Sequence, residues 1–176
     1  KISFTVLAAF NPFLFEILSK KDERGKRKIA LISYAFAIIL GICVIGLTLI
    51  SPLFFKFLID EKFAAGNQYV FWVAVAYFFY GMYALFSGQV HYFKNSKALL
   101  VIAFINIFSN LLLNYFLIKS FGAIGAAYAT ICSYIIVMIY MSIIARRSIY
   151  IPYRQVRQNL AFLKVFLKEN KVPFTK

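Results

Sequence analysis

Between Ile29 and Ile50 the chain runs through 22 residues without a charge, and no other feature narrows its fold as much. A helix rises about 1.5 Å per residue, so a run of about 20 apolar residues crosses a hydrocarbon layer of roughly 30 Å. Backbone polar groups find no water there, which leaves helices and closed barrels as the only spanning forms. Similar apolar runs follow at 69–93, 98–118 and 122–145. The sequence therefore predicts an all-α polytopic membrane protein, a helical bundle with four transmembrane helices between residues 29 and 147. Aromatic residues mark the 69–93 run, with Tyr69, Phe71 and Trp72 at one end and Tyr92 and Phe93 at the other, as expected of two interfacial belts.

The composition leaves no room for a soluble domain: 62% of residues are hydrophobic, 15% are charged and the mean hydropathy is +0.79. A net charge of +14 would ordinarily raise nucleic acid as a partner. Here the cations stand in short clusters between apolar runs, so no nucleic acid is expected and membrane lipids are the partners the pattern implies. The cluster at 19–28 reads as a basic loop, 53–68 as a mixed interfacial segment with Ser51 and Pro52 ending or bending the span before it, and 148–176 as a basic amphipathic tail. In that tail Val156, Leu160, Leu163 and Leu167 recur at helical spacing, which suits a helix lying on an anionic leaflet. Counted by side, 16 Lys and Arg fall in the loops and tail of one face and 3 (Lys56, Lys62 and Lys119) on the other. The positive-inside rule then places the loop 19–28 and the C-terminus in the cytoplasm. Residues 1–18 form an apolar run containing Pro12 that begins at Lys1 without a methionine, and they read as the end of a truncated transmembrane helix with a local kink.

Catalysis in a buried site needs a carboxylate, a histidine or an activated nucleophile. None of the six acidic residues lies in the central part of a complete span, and the single histidine, His91, has no acid at helical spacing to orient it. Cys43 and Cys132 fall inside apolar runs with no Cys/His cluster around them. No catalytic residue, metal site or cofactor is expected, and the chain does not read as an enzyme.

Two polar stripes and one smooth stripe remain. Asn106, Asn110 and Asn114 recur at i, i+4 and i+8, which places their amides on one helix face. As interhelical contacts, such amides contribute roughly 0.6 to 2 kcal/mol each; as the lining of a wet cavity, they offer donors and acceptors to sugar hydroxyls. Tyr80, Tyr83, Ser87, His91 and Lys94 form a second face. It is either an aromatic face with snorkelling ends or a surface that stacks on sugar rings, with Lys94 attracting a phosphate. Gly122, Gly125, Ala126, Ala129 and Ser133 make a small-residue stripe where another helix packs closely.

The hairpin carrying these residues has a recognisable form. Asn110-Leu-Leu-Leu-Asn114-Tyr-Phe-Leu-Ile118, followed by Phe121-Gly122-Ala-Ile-Gly125-Ala126-Ala127-Tyr-Ala129-Thr130 and Ser133-Tyr134, resembles the C-terminal hairpin of polysaccharide biosynthesis and O-antigen flippases. These belong to the multidrug/oligosaccharidyl-lipid/polysaccharide exporter superfamily. The resemblance extends more loosely from Lys20 through Arg147. It implies that the chain forms most of the C-terminal lobe of a twelve-span transporter in a bacterial or archaeal cytoplasmic membrane. It further implies movement of a lipid-linked oligosaccharide on undecaprenyl diphosphate by alternating access, with polysaccharide assembly proteins as possible partners. On that reading the substrate-cavity candidates are Tyr80, Tyr83, Ser87, His91, Lys94, Asn106, Asn110 and Asn114. The rivals are a multidrug exporter of the same superfamily, which often uses buried acids that these spans lack, a membrane-embedded polysaccharide polymerase or ligase, which would carry large external loops, and a structural subunit.

Overall fold

The computed structural model describes residues 14–19 and 22–169. The kink expected at Pro12 and the cations of the tail beyond residue 169 lie outside the described residues. Five helices account for almost all of the rest: α1 (Glu23–Leu58), α2 (Asn67–Tyr92), α3 (Ser96–Phe121), α4 (Ala123–Ser148) and α5 (Val156–Glu169). A 3₁₀ turn, Glu61–Gly66, joins α1 to α2, and no strand occurs among the described residues. The first four helices are long and apolar enough to cross a membrane.

The spans differ from their sequence outlines mainly at α1. This helix begins inside the expected basic loop because Asp22 caps it, its carboxylate accepting the Gly25 N–H at 2.7 Å. It also passes through Pro52, where the sequence predicted an end or a bend, and continues to Leu58. Proline has no N–H, so the Thr48 carbonyl loses its usual helical donor. The Ser51 hydroxyl supplies a replacement at 3.1 Å and also lies 2.7 Å from the Asn67 amide at the start of α2. Since one hydroxyl carries one proton, the amide donates through its nitrogen if Ser51 serves Thr48. The expected interfacial segment 53–68 is thus divided among the last turns of α1, the 3₁₀ turn and the first turn of α2. With 36 residues, α1 is about 54 Å long and extends beyond a hydrocarbon layer at one or both ends.

Short connections make successive helices antiparallel, so α2 and α4 run parallel to each other. Their packing is the most extensive in the molecule; α4 also packs along α3, and α1 packs along α2. Among the described residues α1 makes no comparable contact with α3 or α4. The spans therefore stand in an open row, α1–α2–α4–α3, with apolar side chains such as Ile38, Ile42, Phe104, Phe108 and Leu111 exposed along it. In water this surface would be untenable, whereas in lipid it is matched to its surroundings. The up-and-down course brings the starts of α1 and α3 and the ends of α2 and α4 to one end of the row. Arg24, His91, Lys94, Lys97, Arg146 and Arg147 are all exposed there.

Two apolar clusters hold the row. Val90 of α2, Ala98 and Ile102 of α3, and Val137, Met141 and Ala145 of α4 form one. Leu14, Ile17 and Leu18 pack with Ile29 and Ala30 of α1 and with Ile151 beyond α4 in the other.

Candidate functional site

The buried face of α4 starts on small residues. Gly125, Ala129, Ser133, Val137, Met141 and Ala145 recur every four residues along α4, and all are buried. Their small start lets the helices approach closely. A Cβ placed on Gly125 would lie 2.1 Å from the Leu117 carbonyl oxygen of α3, so only glycine fits at that point of the hairpin. Ala126 is half-buried at the edge of the stripe. Gly122 has a different place from the packing role expected of it. It is exposed, nothing lies within 4 Å of its would-be Cβ, and its φ of 66° and ψ of −146° make the turn between α3 and α4. That backbone region is essentially reserved for glycine.

Alongside this tight contact, aromatic side chains fill a seam between α2 and α4. Near the middle of both helices the Tyr80 ring lies 5.1 Å from Tyr134 and 5.9 Å from Tyr83. Tyr77 extends the group, its ring 6.2 Å from Tyr80, and it is largely exposed. Ser87 is buried one turn beyond Tyr83 on the same face of α2. Towards the Lys119 end, Trp72 meets Tyr128 edge-on at 4.9 Å, and Tyr128 meets Phe121 at 5.8 Å. Towards the basic end, Phe86 packs on Tyr153 at 5.9 Å. The seam offers ring faces and hydroxyls and brings no charge with it, so it suits uncharged polar groups and flat apolar surfaces.

The structure brings Tyr80, Tyr83 and Ser87 together and adds Tyr134 and Tyr77, which the spacing on α2 did not single out. Tyr134 is in the quoted hairpin motif, beside the buried Ser133, and that adjacency was the available signal. His91 and Lys94 are set apart at the exposed basic end. Lys94 makes the turn into α3 with a φ of 52°, its N–H donating to the His91 carbonyl at 2.9 Å. The asparagines occupy a separate helix, α3. Asn114 donates to the Asn110 carbonyl at 2.8 Å and to its side-chain oxygen at 2.9 Å, so this pair satisfies part of its polarity within one helix. Asn106, Asn110 and Asn114 are all half-buried. Asn114 also borders a shallow groove along α3 with Tyr115 and Lys119.

A second opening lies between α1 and α2, an apolar groove of about 690 Å³ bordered by Leu40, Cys43, Leu47, Val73 and Tyr77. Its walls touch where Gly81 admits the Leu40 side chain and where Gly66 faces the Phe55 ring. No group of three or more His, Cys, Asp or Glu residues placed to hold a metal occurs among the described residues.

A separate polar cluster at the basic end was not visible in the sequence at all. The Tyr34 hydroxyl donates to the Tyr153 carbonyl, and Gln89 Nε2 donates to the Tyr153 hydroxyl at 2.6 Å. Asn159 Nδ2 donates to the Pro152 carbonyl at 2.8 Å and to the Tyr34 hydroxyl at 3.2 Å. Burial pushes the Tyr153 phenol above its ordinary value of 10.0, against the hydrogen bond from Gln89 and the nearby Arg146 charge. No protein family matches the chain, and no match is found among curated proteins or solved structures.

Proposed function

We propose that the chain is part of a flippase that carries a lipid-linked oligosaccharide from the cytoplasmic to the outer leaflet, and that it acts as a transporter rather than an enzyme. The reading rests on the resemblance of the Asn110–Tyr134 hairpin to polysaccharide flippases, with this chain as most of the C-terminal lobe of a twelve-span protein. The observation that carries it furthest is the seam of Tyr80, Tyr83 and Tyr134 near the middle of the α2–α4 contact. A diphosphate and many hydroxyls cannot be drawn through bare hydrocarbon at tolerable cost, so a path needs a polar lining at that depth. Tyrosine meets the need for a glycan because it offers a stacking face and a hydroxyl without the penalty of a buried charge. The open row is the kind of half-structure that a second lobe could rock against in alternating access. A cationic drug would be better served by a buried acid, which the seam lacks.

The test uses the single tryptophan, Trp72, which stands in the aromatic series through Tyr128. The full chain in lipid nanodiscs is titrated with an undecaprenyl-diphosphate oligosaccharide, with undecaprenyl diphosphate alone, and with a cationic dye, while Trp72 emission is followed. The oligosaccharide is expected to bind most tightly. Tyr80→Leu with Tyr134→Leu is expected to weaken it roughly ten- to thirtyfold, at about 1 kcal/mol per ring. Equal affinity with and without the sugar, or preference for the dye, would overturn the proposal.

A further inference from the structure

An amphipathic helix that merely floats on a membrane needs no anchorage, yet α5 is fastened. Ile151 and Pro152 are buried, and Asn159 is 0% exposed although it lies in a strongly basic tail. The hydrogen bonds of Tyr153 and Asn159 reach Tyr34 on α1 and Gln89 on α2. Those contacts fix how α5 is rolled about its own axis. At about 100° per residue, turning position 159 inward sends positions 156 and 160 to one flank and position 157 nearly to the opposite side. Val156 and Leu160 are accordingly 47% and 46% exposed, and Arg157 is exposed with Arg154 just before the helix. Lys164 and Lys168 fall at the same helical phase as Arg157 in the sequence, and no acidic residue occurs from Ser148 to Lys168. An apolar stripe beside a purely basic one is complementary to acyl chains beneath anionic headgroups.

We propose that α5 is a latched lipid-binding face: Tyr153 and Asn159 fix its roll against α1 and α2, and that roll presents Val156, Leu160, Arg154 and Arg157 to an anionic membrane surface. The proposal does not depend on what the spans transport. The latch is of modest strength, because the side-chain oxygen of Asn159 is buried without a hydrogen-bond partner and so carries a desolvation cost.

The test uses the full chain with Cys43→Ser and Cys132→Ser, spin-labelled at Arg24→Cys and Gln158→Cys, both exposed positions outside the latch. In vesicles of phosphatidylcholine and phosphatidylglycerol, one narrow label-to-label distance is expected. Tyr153→Phe with Asn159→Leu is expected to broaden it, and an unchanged narrow distance in that variant would overturn the latch. The lipid contact is read separately, as the restriction of spin-labelled phosphatidylglycerol relative to spin-labelled phosphatidylcholine. Arg154→Gln with Arg157→Gln is expected to reduce the preference for phosphatidylglycerol by about twofold or more while keeping the narrow distance. An undiminished preference, or loss of the narrow distance in this arginine variant, would overturn the assignment of these residues to the lipid surface.

Discussion

Gly125→Ala puts a close contact between α3 and α4 under direct strain. The added Cβ would lie 2.1 Å from the Leu117 oxygen, 2.4 Å from its carbonyl carbon and 2.7 Å from the Ile118 nitrogen. Real Cβ contacts essentially never fall below 3.0 Å, so α3 and α4 have to part by about 0.9 Å at this point. Backbone lies on the far side of the clash, and no side chain can swing away to relieve it. Helix α3 has little else to hold it, since Ala98 and Ile102 are its only buried residues. Overpacking of this kind costs about 1 to 3 kcal/mol, and the helix-propensity gain of alanine over glycine returns at most about 1 kcal/mol. A net loss of about 1 to 2 kcal/mol follows. Gly41 and Gly46 on α1 are the controls, because nothing lies within 4 Å of their would-be Cβ atoms. Gly41→Ala and Gly46→Ala are expected to be neutral or to stabilise by up to about 1 kcal/mol. Denaturant unfolding in detergent micelles, followed by circular dichroism and Trp72 emission, makes the comparison. If Gly125→Ala is as stable as Gly41→Ala, the close α3–α4 approach is wrong.

Other substitutions address other joints. Gly122→Ala is expected to cost about 1 to 3 kcal/mol in the same unfolding assay despite its exposure, because the strain resides in the backbone at φ 66°. Lys94→Gly removes a side chain from a left-handed position and is expected to leave stability unchanged or raise it by up to about 1 kcal/mol; a clear loss of stability would contradict the turn described for it. Ser51→Ala strips the Thr48 carbonyl and the Asn67 amide of a partner, with an expected loss of about 1 to 2 kcal/mol, and Pro52→Ala in the same background is expected to restore much of it by returning an N–H to Thr48. Tyr153 makes tail docking sensitive to alkali. Its pKa is raised by burial when docked, so the stabilisation it gives to docking is fully present below the free value of 10.0 and is lost as pH climbs through the docked value. The distance between labels at Arg24→Cys and Gln158→Cys, compared at pH ~8 and pH ~11, is expected to broaden at the higher pH and to show no such step in Tyr153→Phe.

What the sequence made legible were features that repeat locally. Uncharged runs located four helices, and the small-residue stripe picked out Gly125, Ala129 and Ser133, which are buried, along with Ala126, half-buried, and Gly122, exposed. The extension of α1 was hidden because Ser51 and Pro52 carry the usual marks of a helix end. The Ser51 hydroxyl, within hydrogen-bond distance of both the Thr48 carbonyl and the Asn67 amide, compensates there in a way that no local sequence pattern records. The seam was half legible, since Tyr80, Tyr83 and Ser87 share a period on α2, whereas their meeting with Tyr134 depends on α2 and α4 being parallel neighbours. The tail latch was illegible, because it pairs Tyr34 with Tyr153 across 119 positions and with Asn159 across 125. No periodicity records a contact of that range.

In the proposed transporter, the tyrosine seam forms part of a watered path through the membrane. Single cysteines at residues 77–94 and 103–117, introduced into the full chain in lipid vesicles with Cys43 and Cys132 replaced by serine, test it most directly when probed with a membrane-impermeant thiol reagent. Reactivity is expected to recur at positions 80, 83 and 87 and to fade between them, with a second helical series at 106, 110 and 114. Reactivity without that period, or confined to the ends of the helices, would contradict it.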